Sequence, residues 1–193
     1  MRMMKCTQDL CIINLIYRDV KNGLRMCKGI LQYKDKGVYE GHFLYGKECG
    51  KGRKVFPQLE VYTGDFLNAK FHGNGKYVGV KGEYYEGEWR NNMQDGNGKE
   101  LLEDGQRYVG QYKAGLKHGH GTITWPDGSY YEGEFFKGKI KGAGKKVWKS
   151  GKNYKGNWVN EKEHGYGKLI HPGKSVYEGL FSNGLKHGPG KMT

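Results

Sequence analysis

A tyrosine that recurs at a constant interval of 23 residues constrains this chain more than any other feature. The seven tyrosines are Tyr39, Tyr62, Tyr85, Tyr108, Tyr131, Tyr154 and Tyr177. With each tyrosine counted as position 0 of its repeat, glycine stands at positions +2, +11 and +13 of every repeat, and an aromatic residue stands at position +4. Because self-similarity at a fixed period is the signature of repeat architectures, the sequence predicts a tandem array of one small structural unit.

Each repeat is predicted to form a β-hairpin. The residues at positions 0, +2 and +4 alternate with period two, which places them on one face of a strand. A turn rich in Asn, Gly and Lys follows, and then a second strand such as "GTITW". The segment "PDG", residues 126–128, closes that unit, since proline fixes one φ and glycine takes the left-handed position of a turn. If this loop contains three residues, Tyr131 falls on the same face as Ile123 and Trp125.

Aromatic rings must supply most of the core. Apolar residues make up only 36% of the chain, whereas 13% of the residues are aromatic and 34 residues are glycine. A glycine between two rings on one face leaves room for a ring to lie across the backbone, and it lets the sheet bend. We therefore expect an aromatic ladder, with columns such as Tyr131/Phe135 and Tyr154/Trp158, in which each ring covers a glycine of the neighbouring strand.

Charged residues predict a pairing on the other face of the hairpin. Position +3 holds His42, Asp65, Glu88, Gln111, Glu134, Asn157 and Leu180. Position +14 holds Arg53, Lys76, Lys99, Thr122, Lys145, Lys168 and Lys191. Each acidic residue of the first row shares its repeat with a lysine of the second, and opposite charges facing each other across strands stabilise a sheet modestly. We expect positions +3 and +14 to lie opposite each other.

The register of the repeat divides the chain into three parts. Residues 1–15 form an N-terminal extension, and residues 16–38 form a degenerate capping repeat that has Ile16 at the tyrosine position and retains Gly23 and Gly29. Residues 39–193 form seven repeats. Their predicted bounds are 39–61, 62–84, 85–107, 108–130, 131–153, 154–176 and 177–193, of which the last is incomplete.

The cellular compartment is predicted from the N-terminal part of the chain. Arg2 and Lys5 precede an apolar run, as in a secretory signal, but Asp9 and Asn14 interrupt that run. The cysteines all lie in the first quarter of the chain and include no CxxC pair; they are Cys6, Cys11, Cys27 and Cys49. We expect no signal peptide and a reducing, cytoplasmic setting.

The repeat resembles a known family. The segments "YEGEFFKGKIKGAG", "YVGQYKAGLKHGHG" and "YEGLFSNGLKHGPG" are similar to MORN (membrane occupation and recognition nexus) repeats, in which Tyr-x-Gly-x-Trp is followed by a turn and Gly-x-Gly. The resemblance implies an all-β fold: an elongated, twisted single antiparallel sheet of tandem hairpins. It also implies a scaffold role, as in junctophilins, radial spoke head proteins, parasite cytoskeletal proteins and plant phosphatidylinositol phosphate kinases.

No catalytic, metal or cofactor site is predicted. His72, His118, His164 and His187 occupy position +10. Equivalent positions of adjacent repeats lie about 9–10 Å apart, too far for the ligands of one zinc ion. The segments "HGPGKMT" and "PGKS" do not fit GxxxxGK[ST], because Leu185 stands where the first glycine belongs and Met192 follows the lysine. Ser, His and acidic residues recur only at repeated surface positions, so we expect no enzyme and no cofactor.

Two sets of residues are predicted to bind partners. The candidate aromatic face consists of Tyr39, Phe43, Tyr62, Phe66, Tyr85, Trp89, Tyr108, Tyr112, Trp125, Tyr131, Phe135, Trp148, Tyr154, Trp158, Tyr177 and Phe181. The candidate patch for an anionic partner consists of Lys137, Lys139, Lys141, Lys145, Lys146, Lys149, Lys152 and Lys155, a stretch without acidic residues. The net charge of +13 also favours acidic partners.

The favoured hypothesis is a non-enzymatic scaffold in a cytoskeletal or axonemal assembly. Its partners would be other proteins of that assembly, held along the aromatic face, with a second copy of the chain pairing through the end strands. The alternative is a membrane tether that binds anionic lipid or phosphoinositide through the lysine patch. Nucleic acid is disfavoured, since the rings that would stack on bases are predicted to be used in the ladder.

Overall fold

A computed structural model describes residues 10–21 and 24–193, with side chains described from Cys27 onward. Within these residues the protein is all-β, and no helix occurs in them. The strands form an antiparallel open sheet in which they pair in the order of the sequence, which confirms the predicted fold class of tandem hairpins. Cys6, Gly23 and the side chains of Cys11 and Ile16 lie outside the described residues.

The strands comprise a first hairpin and seven hairpins from the tyrosine repeats. Their bounds are β1 Leu10–Lys21, β2 Leu24–Tyr33, β3 Val38–Leu44, β4 Lys47–Val55, β5 Val61–Leu67, β6 Lys70–Val78, β7 Tyr84–Arg90, β8 Met93–Leu101, β9 Arg107–Lys113, β10 Leu116–Thr124, β11 Tyr130–Phe136, β12 Lys139–Val147, β13 Asn153–Val159, β14 Lys162–His171, β15 Ser175–Ser182 and β16 Leu185–Met192. The boundary between extension and capping repeat at residue 16 stays a prediction.

The chain forms two compact units, which are described separately. Unit 1 is Met1–Asp95 and unit 2 is Gly96–Thr193. Unit 1 contains two complete tyrosine repeats and unit 2 contains three, so the same local rules apply in both. In each hairpin, the side chains at positions 0, +4, +9 and +15 share one face, here called the ladder face. Positions +1, +3, +12 and +14 lie on the other face, here called the open face.

Two kinds of turn connect the strands. Within each repeat, the residues at positions +6 and +7 both have positive φ, between 49° and 86°, as a two-residue type I′ hairpin turn requires. Between β10 and β11, the Trp125 amide donates to the carbonyl of Ser129 at 2.9 Å, and Gly128 has a φ of 86°. Three residues therefore separate Trp125 from its partner Ser129, which meets the condition set in the sequence analysis, and Ile123 lies directly opposite Tyr131.

A bulge on the second strand sets the register of each hairpin. In β5 and β6, Asp65 at position +3 lies opposite His72 at position +10, whereas Gly64 lies opposite Gly75. Two residues of β6, Gly73 and Asn74, have no counterpart on β5. The glycine at position +11, here Gly73, has positive φ in all seven repeats, between 58° and 109°. This conformation is open to glycine without steric cost, which explains why position +11 is invariably glycine within the chain.

The predicted opposition of positions +3 and +14 is wrong. Beyond the bulge, position +14 lies opposite position +1 of the same repeat, as Lys145 does opposite Glu132. It also lies opposite position +1 of the next repeat, as Lys76 does opposite Glu86, with their charged atoms 3.5 Å apart. The prediction did not account for the two bulge residues. It therefore placed the lysines at position +14 opposite position +3 instead of position +1.

Candidate functional site: the buried ladder and the open face

Every repeat tyrosine is anchored within its own hairpin. The hydroxyl of Tyr131 donates to the backbone carbonyl of Glu134 at 3.1 Å, three residues along the same strand. The other six tyrosines make the same bond, at 2.9–3.2 Å. The carbonyl at position +3 borders the bulge, where the regular ladder of backbone hydrogen bonds is interrupted. The tyrosine hydroxyl thus satisfies a backbone group at the one place where the hairpin departs from regular pairing.

In six of the seven repeats, the tyrosine ring lies over two glycines. An ideal Cβ on Gly144 would overlap the ring and hydroxyl of Tyr131, and a Cβ on Gly133 would lie 2.5 Å from the same hydroxyl. Gly133, at position +2, and Gly144, at position +13, face each other across β11 and β12. The ring therefore covers a glycine of its own strand as well as the predicted glycine of the neighbouring strand.

The aromatic residue at position +4 connects each repeat to the preceding one. In unit 1, Phe66 makes T-shaped contacts with Tyr39 of the preceding repeat and Tyr62 of its own, at 4.9 and 5.1 Å between ring centroids. In unit 2, Trp158 contacts Tyr131 and Tyr154 in the same way, at 5.4 and 5.1 Å. Its indole N–H also donates to the carbonyl of Gly144 at 3.2 Å. The predicted aromatic ladder is therefore present in each unit.

The ladder is the core of each unit, with little ring surface left for a partner. Of the sixteen residues in the candidate aromatic face, fourteen are between 0% and 8% exposed. Side chains at positions +9 and +15 cover the rings: Phe71 stacks on Tyr62 with centroids 3.7 Å apart, and Ile123 and Ile140 are themselves buried. Only Trp125 and Trp148 are half-buried. They are the members of the set that offer accessible ring surface.

Burial raises the pKa of tyrosine hydroxyls in the ladder. Desolvation raises the pKa of Tyr108 to about 12, and the neighbouring Glu100 adds to the effect, whereas the hydrogen bond to the backbone of Gln111 opposes it. Desolvation likewise raises the pKa of Tyr154 to about 12. The pKa values of Tyr39, Tyr62 and Tyr131 are raised as well, with desolvation as the largest cause. At neutral pH these hydroxyls are therefore protonated donors.

Residues at position +3 hold the bulge from the open face. The Asp65 carboxylate accepts the backbone N–H of Asn74, at position +12, at 3.0 Å. Gln111 and Glu134 make the equivalent bond to His120 and Ala143, at 3.1 and 3.3 Å. An oxygen at position +3 thus satisfies an amide that the bulge removes from the ladder. The sequence analysis missed this role, which the recurrence of Asp, Glu and Gln at position +3 signals.

A row of paired glycines underlies a groove on the open face of unit 1. Gly41, Gly52, Gly64, Gly75 and Gly87 lie opposite one another on successive strands. The groove over this row has a volume of about 1000 Å³. We call it the unit-1 groove. Two of its four basic side chains, Lys51 and Lys76, form ion pairs.

The ion pairs of the unit-1 groove join adjacent strands. Lys51 lies 2.8 Å from Asp65, and Lys76 lies 3.5 Å from Glu86. All four side chains line the groove or border it. Much of the positive charge on this face is therefore already matched within the protein.

The equivalent groove of unit 2 carries a different set of charges. Gly110, Gly121, Gly133, Gly144 and Gly156 form its floor, and its volume is about 630 Å³. We call it the unit-2 groove. The row of positions +1 and +14 along its side reads Val109, Thr122, Glu132, Lys145 and Lys155 from β9 to β13. These grooves were not predicted from the sequence, because they depend on the register that the bulge creates.

The structure separates the predicted lysine patch into three groups. Lys137, Lys139 and Lys141 lie at the hairpin-turn end of β12 and are exposed. Lys146, Lys149 and Lys152 lie at the opposite end, near the loop that follows β12, while Lys145 and Lys155 line the unit-2 groove. Lys139 and Lys146 are seven residues apart along one strand, roughly 20 Å. The eight lysines therefore do not surround one small ligand.

The two accessible tryptophans of the aromatic set contact the second lysine group. The Lys146 ammonium lies 4.7 Å from the ring centroid of Trp125 and 5.3 Å from that of Trp148. Lys152 lies 4.2 Å from the Trp148 ring. These distances are within the range of cation–π interactions, so the tryptophans hold the two lysines against the loop end of the sheet.

Unit 1 also contains a buried carboxylate that the sequence analysis missed. Glu48 at position +9 is 4% exposed, accepts a hydrogen bond from the Tyr33 hydroxyl and lies 3.6 Å from Lys54. Desolvation raises the pKa of Glu48, and the charge of Lys54 opposes that shift. Since the carboxylate is enclosed by its two partners and borders no groove, we assign it to the core.

The repeat geometry is that of a known family. The pattern of the MORN repeat matches residues 39–58, 62–84, 85–107, 108–130, 131–152, 154–176 and 177–193. The chain belongs to the MORN repeat family. This MORN protein therefore carries a repeat module of the kind that serves in interaction and scaffolding. The matched segments begin at the seven anchored tyrosines, so the family pattern and the hairpins coincide.

Comparisons with whole proteins add little to the family assignment. A search of curated proteins found no match to this MORN chain. Among solved structures, it is similar to the TCP domain of SAS-4 (dCPAP) of Drosophila melanogaster, solved in complex with a proline rich motif of Ana2 (dSTIL). The identity is 10%, the alignment covers 92% of this chain and 88% of that one, and the TM-score is 0.47. So low a TM-score carries no inference about fold or partner.

Two features of the described residues bear on other functions. Among residues whose side chains the structure describes, no group of three His, Cys, Asp or Glu side chains is placed to hold a metal ion. The histidines at position +10 lie on the second strand beside the bulge, where His72 faces Asp65 and His164 faces Asn157. In the same part of the chain, no helix is long and apolar enough to cross a membrane.

Proposed function

We propose that this MORN protein is a non-enzymatic scaffold that holds partner proteins on its open face. The proposal rests on one observation: the ladder face needs no partner to satisfy its hydroxyls or to bury its rings. Its tyrosine hydroxyls are satisfied by backbone carbonyls, and its rings are buried by neighbouring side chains of the same chain. The open face, in contrast, presents the unit-1 and unit-2 grooves. A rigid sheet with repeated grooves suits the display of binding sites at regular intervals.

The proposed setting is a cytoskeletal or axonemal assembly in the cytoplasm. Family resemblance supports it, because MORN arrays occur in radial spoke heads and in parasite cytoskeletons. Proximity labelling with the full chain fused to a biotin ligase tests the proposal. Structural proteins of one assembly should dominate the labelled neighbours. Lipid-modifying enzymes and bilayer proteins as the dominant neighbours would contradict the scaffold.

The second candidate is a membrane tether, favoured by the exposed lysines at the hairpin-turn end of β12. Lys137, Lys139 and Lys141 are exposed, and each lysine near an anionic surface contributes about 1 kcal/mol to membrane binding. Sedimentation with phosphatidylserine vesicles tests it. Replacing Lys139 and Lys141 by Glu should release the chain from vesicles if the tether exists. If the unmodified protein stays in the supernatant at low salt, the tether is wrong.

Self-association through end strands is proposed as part of the scaffold. An edge strand presents unpaired backbone groups to a second chain, and β16 occupies such a position in unit 2, with Leu185 72% exposed. Light scattering over a concentration series should then show a dimer. A monomer at all concentrations would remove this part of the proposal.

A further inference from the structure

The two grooves share one geometry but differ in how their charges are matched. In the unit-1 groove, Lys51 and Lys76 are paired with carboxylates at 2.8 and 3.5 Å. In the unit-2 groove, Lys145 and Lys155 lie directly opposite each other on β12 and β13. Neither has a carboxylate within salt-bridge distance among the residues that the structure describes.

The unmatched lysines are a local cost to the sheet. Like charges directly opposite each other on adjacent strands destabilise the pairing. Lys155 lies between Lys145 on one side and Lys168 on the other, so three lysines follow one another across strands. Lys168 is paired with Glu178 at 3.3 Å, and Lys145 lies opposite Glu132 on its other side without an ion pair, so Lys155 is the lysine with lysines on both sides. An anionic group bound in the groove would offset this repulsion.

The opposite end of the same groove is apolar. Val109 on β9 is 61% exposed and forms that end, with Thr122 next to it. The groove side therefore begins at the apolar Val109 on β9, passes Glu132 on β11 and ends at the basic pair on β12 and β13. Because the two ends of the groove differ, an elongated ligand would bind in one orientation.

The spacing of these side chains fits an extended peptide. Adjacent strands lie about 4.8 Å apart, so Val109 on β9 lies about 14 Å from Lys145 on β12 and about 19 Å from Lys155 on β13. An extended chain advances about 3.3 Å per residue, so these distances correspond to roughly four and six residues. Both intervals are even. Because side chains of an extended chain alternate between two faces, the three groups that meet the groove would all point to one side.

We infer that the unit-2 groove binds an extended segment of a partner protein with an apolar residue at one position and acidic residues four and six positions away. The apolar side chain contacts Val109, and the two carboxylates pair with Lys145 and Lys155. The backbone of Gly121, Gly133 and Gly144 forms the floor between two rows of side chains, so a peptide backbone can approach the sheet closely there. This inference rests on the proposed scaffold function and names the chemistry of the partner segment.

Fluorescence anisotropy with the full chain and a defined peptide tests the inference. The probe is a fluorescein-labelled peptide with leucine at position 1, glutamate at positions 5 and 7, and serine elsewhere. The control peptide has the same composition, with glutamates moved to positions 4 and 6, so that leucine and the glutamates no longer share a face. We expect the first peptide to bind several-fold more tightly. Binding should weaken as salt rises, because screening shortens the reach of the lysine charges.

Two matched double variants assign the binding to the groove. Lys145→Gln with Lys155→Gln removes two charges inside the groove and should weaken binding of the first peptide about tenfold. Lys139→Gln with Lys141→Gln removes the same charge outside the groove and should change binding less than twofold. Thermal unfolding should show that the first variant is folded with nearly unchanged stability, since it removes both the like-charge contact of Lys145 with Lys155 and the opposite-charge contact with Glu132.

Three outcomes would overturn the inference. Equal weakening by both double variants would show non-specific attraction to net charge, and equal binding of the two peptides would exclude a defined register. If phosphatidylserine vesicles bind through Lys145 and Lys155 while neither peptide binds, the groove recognises lipid. Proximity labelling with the groove variant separates this failure from failure of the scaffold: unchanged structural neighbours would leave the scaffold standing and remove only the groove assignment.

Discussion

At the residue scale, a glycine and a tyrosine act as one fitted pair. The ring can lie on the backbone only where both facing residues lack a Cβ, and its hydroxyl then reaches the carbonyl at position +3. Ring burial and hydrogen bonding therefore depend on the same two glycines. This coupling explains why neither the tyrosine nor the glycines vary between the seven repeats.

Adding a methyl group beneath a tyrosine should destabilise the protein strongly. The Cβ of Gly144→Ala would overlap the Tyr131 ring, which must then leave its site. Overpacking of this kind costs about 3 kcal/mol. Gly128→Ala is the control, because nothing lies within 4 Å of its Cβ and only its φ of 86° is unfavourable, at about 1 kcal/mol. Urea unfolding measures both, and similar losses for the two variants would contradict the fitted pair.

Removing one tyrosine hydroxyl should have a smaller effect. Tyr131→Phe keeps the ring but leaves the Glu134 carbonyl without its donor, which we expect to cost about 1–2 kcal/mol. Tyr45→Phe is the control, since Tyr45 is 84% exposed. Chemical denaturation should show no change for the control. A Tyr131→Phe protein as stable as the parent would mean that the hydroxyl does not support the bulge.

The ladder should make the protein sensitive to alkali. Burial raises the pKa of Tyr108 and Tyr154 from 10.0 to about 12, so the folded state holds these protons more tightly than the unfolded state. Their contribution is present in full below pH 10 and is lost as the pH rises from 10 to about 12. Tyrosinate absorbance and far-UV circular dichroism should change together in that range. Ionisation of the buried tyrosines without loss of strand signal would contradict this coupling.

At the element scale, the hairpin is regular at its turn and irregular at its centre. The two-residue turn pairs position +3 with position +10, and the bulge then pairs position +2 with position +13. In the repeats of Asp65, Gln111 and Glu134, a side-chain oxygen at position +3 compensates for the interruption. The hairpin thus combines a standard turn with a bulge that has its own side-chain support.

The bulge support can be tested at Asp65. Asp65→Ala removes the acceptor of the Asn74 amide and the partner of Lys51, whereas Asp65→Asn retains an oxygen for the amide. We expect a loss of about 1 kcal/mol for Asp65→Ala and about half of that for Asp65→Asn, because the ion pair is largely exposed and contributes little. Hydrogen exchange at Asn74 should accelerate in the alanine variant alone. Equal acceleration of exchange in both variants would show that the charge of Asp65, and not its oxygen acceptor, protects the Asn74 amide.

The sequence predicts the elements of this fold better than their register. Alternation at positions 0, +2 and +4 identifies the first strand, and "PDG" identifies the loop after Trp125. The opposition of positions +3 and +14 failed because periodicity does not show that two residues such as Gly73 and Asn74 leave the ladder. Likewise, the pattern places rings such as Tyr62 on one face, but it does not show that Phe71 covers them. The grooves and the division of the lysines into three groups follow from that register, so they too could not be predicted from the sequence.

At the scale of the whole molecule, stability is built from contacts between adjacent repeats. Within unit 2, Trp158 contacts the preceding Tyr131, and the Gly184 amide donates to the carbonyl of Glu163 in the preceding repeat at 2.9 Å. Repeat proteins of this kind have stabilities that are sums of repeat and nearest-neighbour contributions. The destabilisation caused by a local substitution should therefore decrease with distance along the array rather than being uniform.

Hydrogen exchange of Gly144→Ala in mild urea tests this expectation. Amide protection should fall most in β11–β12, less in β10 and β13, and least in β16 of the same unit, relative to the parent protein. The reason is that each hairpin is held chiefly by its immediate neighbours. Protection that falls equally across all strands of unit 2 would show a single cooperative unit.

The tyrosine anchor lies within one hairpin, and each interface involves only the next hairpin. The chain can therefore lose or gain a whole period of 23 residues and leave every remaining contact type intact. A deletion of 22 residues would instead bring a ring over a residue that bears a Cβ and reverse the faces of all later strands. Changes in gene length at this locus should accordingly be tolerated in complete repeats, which would allow the number of display sites to change without redesign of any one of them.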